Sequence, residues 1–151
     1  MRRLGRPPER NRTYKDRPGA YGIIWRGDYL LLSREPERDL VLPGGGIDPG
    51  ESPLQGLYRE VLEETGWSIS VKRKLGVYAQ YRYMPNYDKY ARKVCTIYEC
   101  RAGQRLSAPL EEGHEPIWMT PEEAVDALAD ECDGNFLYTY LGGAFDRSKR
   151  H

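Results

Sequence analysis

The sequence predicts an α+β fold in which helices pack on a curved, mixed β-sheet. The chain has 151 residues, of which 39% are hydrophobic, and this is enough for one domain with its own core. Short β-like segments surround one strongly marked helix, and a second marked helix follows near the end. Strands interrupted by a few helices in this order are typical of helices packed on a sheet.

The chain begins with a polar segment and a hairpin. Residues 1–17 are rich in Arg, Pro and Lys, which predicts a flexible or surface-draped basic arm ahead of a domain over residues 18–148. The alternative is an arm that reaches toward a nucleotide, RNA or a partner subunit. Two predicted strands, AYGIIW (20–25) and YLLLS (29–33), are joined by the turn RGD. A loop, EPERD, and a short buried strand, LVLP (40–43), then lead into three glycines.

The best-marked element is a helix predicted from Pro53 to Thr65. Ser52 is a favourable N-cap, Pro53 suits the first helical position, and Gln55 can complete a capping box. Gly66 stands where a helix would end.

The second half of the sequence predicts several strands followed by helices. The β-like segments are SISVKRKLGVYAQYRYM (68–84), KVCTIYECR (93–101) and EPIWM (115–119). Thr120, Pro121 and Glu123 repeat the cap, proline and capping-box pattern, which predicts a helix through about Ala129. The segment NFLYTYLGGAF (135–145) predicts a final helix or helical turn.

Composition excludes several classes of protein. The 23 basic side chains balance the 23 acidic ones, so bulk binding to nucleic acid or to an anionic membrane is not expected. The three cysteines give no paired framework and fit a reducing compartment, so a cytoplasmic location is expected. No apolar run of roughly 18 residues predicts a membrane span, and no secretory signal is recognised.

The predicted helix carries an unusual acidic face. Glu60, Glu63 and Glu64 fall within an arc of about 100° on the helix, so like charges lie close together. Beside this face runs a predicted core stripe of Leu54, Leu57 and Val61. A like-charge pair four residues apart destabilises an isolated helix by a few tenths of a kcal/mol. The face is therefore either a solvated surface or one side of a cation site.

The preceding glycines favour a cation site. Gly44, Gly45 and Gly46 can bring bare backbone close to the helix, and a loop carbonyl could join the carboxylates as a ligand. Glu51 could add a further carboxylate or brace Arg59. Mg²⁺ suits such an oxygen-rich site, and it commonly completes its shell with water and substrate phosphates.

The whole stretch resembles the signature of the Nudix hydrolase family. That signature reads G, five residues, E, seven residues, then R-E-U-x-E-E-x-G-U, where U is a bulky apolar residue. Gly45 begins it, Glu51 follows at the right interval, and REVLEETGW from Arg59 to Trp67 completes it. Trp67 is larger than the usual aliphatic residue. The resemblance extends over residues 18–145 by the order of elements, and it implies a Nudix-type α/β/α sandwich.

The resemblance also implies a reaction and a metal centre. Relatives hydrolyse a nucleoside diphosphate linked to another moiety, and they use one to three divalent cations, Mg²⁺ or Mn²⁺. Candidate ligands that match the family's metal-binding positions are Glu60, Glu63, Glu64 and the carbonyl of Gly44 or Gly45. Glu64 or Glu60 could also act as the base for water. Arg59 matches a residue that orients a signature glutamate. The alternative is a non-catalytic Nudix-like module that binds a nucleotide or regulates a partner.

Residues outside the signature are open to two interpretations. Glu111, Glu112 and Glu115 either complete the metal site or are plain surface charge. A tyrosine-rich region with interspersed arginines either binds a base and phosphates or packs within the sheet. It contains Tyr78, Tyr81, Arg82, Tyr83, Tyr87, Tyr90 and Arg92. The predicted substrate-binding residues are Arg82, Tyr83 and Arg34, and the predicted substrate is a small-molecule nucleotide. Since dimers are frequent among relatives, a homodimer stays open.

Overall fold

A computed structural model describes residues 1–85 and 89–142 of the chain. Tyr87 and the end of the predicted final helix and domain, from residue 143 on, lie outside the described residues. The strands are β1 (Arg2–Arg3), β2 (Lys15–Arg26), β3 (Tyr29–Glu35), β4 (Asp39–Val41), β5 (Gly44–Gly46), β6 (Trp67–Met84), β7 (Lys89–Arg105) and β8 (Glu115–Met119). The helices are α1 (Pro53–Thr65), α2 (Pro121–Ala127) and α3 (Glu131–Tyr140).

The strands form one mixed sheet. Its order is β1-β6-β7-β2-β3-β4, with β5 paired to β2 and β8 paired to β3. The central pair β2 and β7 is parallel, whereas β6 and β7 form a long antiparallel hairpin. The predicted mixed sheet is therefore confirmed.

Both faces of the sheet are covered. Leu57 and Val61 of α1 pack on Ala20 and Ile24 on one face. On the other face, residues of α2 and α3 pack on a second cluster of buried strand residues. Along β7, Cys95 and Ile97 belong to that second core, while Tyr98 and Cys100 belong to the α1 core. This is the α/β/α sandwich of the predicted fold.

Helix α1 begins and ends at the residues that its capping sequence predicts. Ser52 and Gln55 form the predicted capping box, and Gly66 ends the helix with φ 79°. The second capping box, at Thr120 and Glu123, also forms. However, α2 ends at Ala127, before the predicted Ala129, because the next residue turns extended and packs into the core. The final helix begins earlier than predicted, since Asp130 caps it.

Two local expectations were wrong. The glycine segment is not a loop, because Gly44–Gly46 pairs with β2 as a short antiparallel strand. Leu54 is not part of the core stripe and is 39% exposed, since the buried side of α1 begins only at Gly56.

The N-terminal segment lies against the sheet. Arg2 and Arg3 pair with β6, and the Leu4 N–H donates to the Ala79 carbonyl at 2.9 Å. Strand β2 already begins at Lys15, and the division of the chain after residue 17 stays a prediction. Among the described residues, no helix has both the length and the apolar character needed to cross a membrane.

Candidate metal and substrate site

Helix α1 brings its three predicted glutamates to different environments. The side chains of Glu60 and Glu63 are 18% and 31% exposed. Glu64 is only 2% exposed. The helix therefore does not present a uniform solvated acidic face, because one of its carboxylates is buried against the sheet.

Glu64 is held by the glycine strand. Its Oε1 accepts a hydrogen bond from the Gly44 N–H at 3.1 Å. Its Oε2 is buried and has no hydrogen-bond partner within the described part of the chain. Burial raises the pKa of Glu64 well above its usual value, and the facing Glu35 carboxylate raises it further, while the Gly44 N–H opposes the shift. A buried carboxylate oxygen without a partner fits a cation ligand.

The glycines permit close contact between strand and helix. Gly44 has φ 140°, and a Cβ there would lie 2.2 Å from the Ala20 carbonyl oxygen. A Cβ on Gly45 would lie 2.9 Å from the Glu60 carboxyl carbon. The predicted close approach of bare backbone to the acidic helix is therefore observed.

Arg59 organises the exposed side of the site. Its Nε and Nη2 donate to the two oxygens of Glu51 at 2.7 and 2.9 Å. Its Nη1 donates to Glu60 at 3.0 Å and to Glu63 at 3.2 Å. Hydrogen bonding to Arg59 lowers the pKa of Glu51 to about 2. Of the two roles considered for Glu51, the structure thus shows the bracing of Arg59.

The carboxylates gather in two adjoining clusters. In the first, ligand atoms of Glu60, Glu63 and Glu111 lie within 4.8 Å of one another. We call these three residues the outer cluster. The second, which we call the inner cluster, brings Glu35, Glu64 and His114 together within the same distance.

A loop after β7 delivers the later residues. The N–H groups of Leu110 and Glu111 donate to the Glu63 carbonyl at 2.8 and 3.2 Å, which anchors the loop to the end of α1. Of the three acidic candidates on this segment, Glu111 reaches the site. Among the described residues, Glu112 and Glu115 belong to neither cluster.

Sequence reasoning missed Glu35 and His114. Glu35 ends β3 inside a segment predicted as a loop, and His114 is isolated in the sequence. A strand extended by two residues would have placed Glu35 on the same face as the buried Ser33, since side chains alternate along a strand. No local signal pointed to His114.

The predicted substrate residues divide between two places. Arg34 is exposed and lies 3.5 Å from Asp39, and strand alternation directs it away from the face of Glu35. Arg82 donates to Asp130 at 2.6 Å on the opposite face of the sheet from α1. The structure therefore does not bring Arg34 or Arg82 into contact with the glutamates.

Arg82 and Tyr83 instead line a cavity of about 340 Å³. Its other walls include Arg38, Met84, Pro85 and Lys93. Arg38 also lies 3.8 Å from Glu35, so the segment between them connects the cavity to the inner cluster.

The remaining tyrosines are mainly structural. Tyr78 is buried and its hydroxyl donates to Asp133 at 2.6 Å. Tyr81 and Tyr90 pack edge-on against Tyr14, with ring centroids 4.9 and 5.8 Å away. These three rings therefore have structural contacts, with α3 and with the N-terminal segment.

Comparison with known proteins gives consistent matches. The family model described as "NUDIX domain" matches residues 15–140. A putative 8-oxo-dGTP diphosphatase of Bacillus subtilis is 43% identical over 67 residues, covering 43% of this chain and 45% of that protein. The human diphosphoinositol polyphosphate phosphohydrolase 3-alpha is 36% identical over 106 residues, covering 68% of this chain and 62% of that protein. The chain thus spans about half to two thirds of these curated relatives.

A solved structure also matches the fold. A hydrolase from Nitrosomonas europaea, described by the same family name, superimposes with a TM-score of 0.70 at 24% identity. The match covers 85% of this chain and 90% of that one.

Proposed function

This chain belongs to the NUDIX domain family, and from that premise we propose that it is a divalent-metal-dependent pyrophosphohydrolase. It cleaves a nucleoside diphosphate linked to another moiety. One observation supports this most strongly. The buried Oε2 of Glu64 has no hydrogen-bond partner in the described chain, and it lies among the acidic side chains of the two clusters. A stable fold tolerates such a buried, unpaired acid where a function requires it.

The chain offers an oxygen-rich donor set that fits Mg²⁺ or Mn²⁺. Glu60, Glu63 and Glu64 would hold the ion, with the carbonyl of Gly44 or Gly45 as a backbone ligand. When bound, the ion supplies positive charge to the pyrophosphate oxygens and activates water for attack.

The protein side chains have separate tasks. Arg59 fixes the rotamers of Glu60 and Glu63 through charge-assisted hydrogen bonds, and Glu51 holds Arg59 in place. Either Glu60 or Glu64 accepts the proton of the attacking water.

We further propose that the organic part of the substrate occupies the cavity beside the inner cluster. Three basic side chains, Arg38, Arg82 and Lys93, line it against one acidic one, Glu37, and Tyr83 provides an aromatic ring. Relatives are described as acting on 8-oxo-dGTP and on diphosphoinositol polyphosphates, both of which are strongly anionic. A cavity with more basic than acidic side chains, which Arg38 links to the proposed metal centre, suits either class. Arg34, which is not among the residues that line this cavity, stays a further candidate.

Location and assembly stay proposals as well. Cys95, Cys100 and Cys132 are all free and buried, which agrees with a reducing compartment such as the cytoplasm. A homodimer remains a prediction.

The test is turnover of a substrate panel in Mg²⁺ and in Mn²⁺ by the full chain and by Glu64→Gln. The panel comprises nucleoside triphosphates, ADP-ribose, nucleotide sugars, dinucleoside polyphosphates and diphosphoinositol polyphosphates, with phosphate or pyrophosphate release as the readout. We expect Glu64→Gln to lower kcat by at least about 100-fold, since a charge-stabilising ligand is lost.

The same variant should not lose stability. Glutamine removes a buried carboxylate whose ionisation is unfavourable, so the free energy of unfolding should be equal or higher. Glu131→Gln, an exposed position on α3, is the matched control and should retain turnover.

The alternative function is a non-catalytic module that binds a nucleotide. It would be supported by tight nucleotide binding in Mn²⁺ together with no product from any substrate in the panel. Equal turnover by the wild type and Glu64→Gln would instead show that the glutamates of α1 are not the reaction centre.

A further inference from the structure

His114 faces the carboxylates with one particular ring nitrogen. Its Nε2 lies 3.2 Å from Oε2 of Glu111 and 3.8 Å from Oε1 of Glu35. Its Nδ1 lies 3.3 Å from the carbonyl oxygen of Glu112. A carbonyl oxygen can only accept, so Nδ1 donates in this contact, and Nε2, which faces carboxylate oxygens that also accept, either carries a proton of its own or meets a cation there. A cation at this place would replace the Nε2 proton, while the Nδ1 contact would hold the ring as the second nitrogen of metal-ligating histidines is commonly held.

Acidic groups predominate in the inner cluster. Glu35 and Glu64 face each other, and a ring nitrogen of His114 adds a third possible ligand atom, all within 4.8 Å of one another. Arg38 reaches only the second oxygen of Glu35, at 3.8 Å. A further sign of a ligand, which this cluster shares with the proposed reaction centre, is Oε2 of Glu64, because this oxygen is buried with no hydrogen-bond partner in the described chain.

The geometry is fixed by the backbone on both sides. The His114 N–H donates to the Glu111 carbonyl at 3.3 Å, within the loop anchored to α1. Gly113 has φ 80°, and a Cβ there would lie 2.7 Å from Pro36 Cγ. The loop that carries His114 therefore packs closely on Pro36, the residue that follows Glu35.

We propose that Glu35, Glu64 and His114 form a second cation position beside the outer cluster, and that its imidazole nitrogen makes it select a first-row transition metal over Mg²⁺. Imidazole is a good ligand for first-row transition metals, of which Mn²⁺ is the weakest binder but is paramagnetic and so serves as the probe, whereas Mg²⁺ prefers a shell of oxygen ligands. This position rests on the proposed function in that Glu64 is shared with the reaction centre. Glu111 lies between the two positions, since its carboxylate belongs to the outer cluster and contacts His114.

The sequence allows a sharp spectroscopic test, because the chain contains only two histidines. Mn²⁺ bound to the full-length protein is measured by pulsed electron paramagnetic resonance, which detects ¹⁴N nuclei coordinated to the ion. We expect imidazole ¹⁴N modulation in the wild type and in His151→Gln, and its loss in His114→Gln. His151→Gln is the matched control because it removes the other imidazole.

Affinity provides a second readout. His114→Gln and Glu35→Gln should each weaken Mn²⁺ binding at this position by at least about tenfold, since even loss of an outer-shell partner costs about 10- to 100-fold. Mg²⁺ affinity of His114→Gln should change far less. Calorimetric titration of each ion measures both, and circular dichroism checks that each variant is folded.

Failure of this inference is distinguishable from failure of the proposed function. Wild-type protein that binds Mn²⁺ and turns over substrate, but shows no ¹⁴N modulation, overturns the histidine ligand and leaves the hydrolase intact. Modulation that persists in His114→Gln, or equal loss of Mg²⁺ and Mn²⁺ affinity in that variant, also overturns it.

Discussion

At the scale of single residues, the absence of a side chain at Gly45 determines where Glu60 can lie. A Cβ at this position would lie 2.9 Å from the Glu60 carboxyl carbon and 3.1 Å from one of its oxygens. We predict that Gly45→Ala displaces this carboxylate and lowers kcat/KM by about 10- to 100-fold, because small misplacements of reacting groups are costly. Steady-state kinetics with Mg²⁺ measures the effect.

Gly46→Ala is the control for this variant. It adds the same methyl group to the same short strand, but a Cβ there meets nothing within 4 Å. Its kinetics should match the wild type. Equal losses in both variants would mean that the backbone of β5, rather than contact with Glu60, determines activity.

At the scale of elements, the end of α1 joins the helix to the loop that carries Glu111 and His114. Gly66 has φ 79°, and a Cβ there would lie only 2.0 Å from the Ser107 carbonyl oxygen. We predict that Gly66→Ala lowers the free energy of unfolding by about 3 kcal/mol or more, because left-handed strain adds to a backbone clash. Chemical denaturation measures this value, and turnover should fall as the loop shifts.

Gly50→Ala separates the two contributions. Gly50 also has positive φ, at 84°, but a Cβ there would meet nothing within 4 Å. This variant should cost only the left-handed penalty of about 1–2 kcal/mol. If Gly66→Ala costs no more than Gly50→Ala, the contact with Ser107 does not constrain the helix end.

The elements also show how far the sequence could predict this molecule. The bounds of α1 were predictable because caps, proline and glycine act within a few residues of the helix ends. The carboxylates of α1 were predictable from spacing and from the family signature. Glu35 and His114 were not, because only pairing of β3 and docking of a distant loop bring them to Glu64. The burial of Glu64 likewise depends on β5, which pairs with β2 across the chain.

At the scale of the whole molecule, the carboxylate clusters and the N-terminal arm are built on different elements of the sandwich. The arm contacts β6 and β7: Leu4 packs partly buried on the α2–α3 core, Tyr14 packs on Tyr81, and Arg12 lies 4.2 Å above the ring of Tyr90. The carboxylate clusters are built from β3, α1 and the loop after β7. The arm and the carboxylate clusters therefore use different residues, although Arg12 contacts Tyr90, whose ring packs on Tyr83 in the cavity wall.

Removal of residues 1–14 tests this separation. The truncated chain keeps β2, which begins at Lys15, and loses the two rungs of β1 together with contacts that include those of Leu4, Arg12 and Tyr14. We predict a loss of about 1–3 kcal/mol in the free energy of unfolding, from lost apolar burial and ring contacts. The kcat should stay within about threefold of the full chain, because the carboxylate clusters share no residue with the arm and separate sites act independently. A large rise in KM with unchanged stability would instead support the alternative in which the basic arm reaches the substrate, and Arg12→Gln in the full chain would then reproduce that rise.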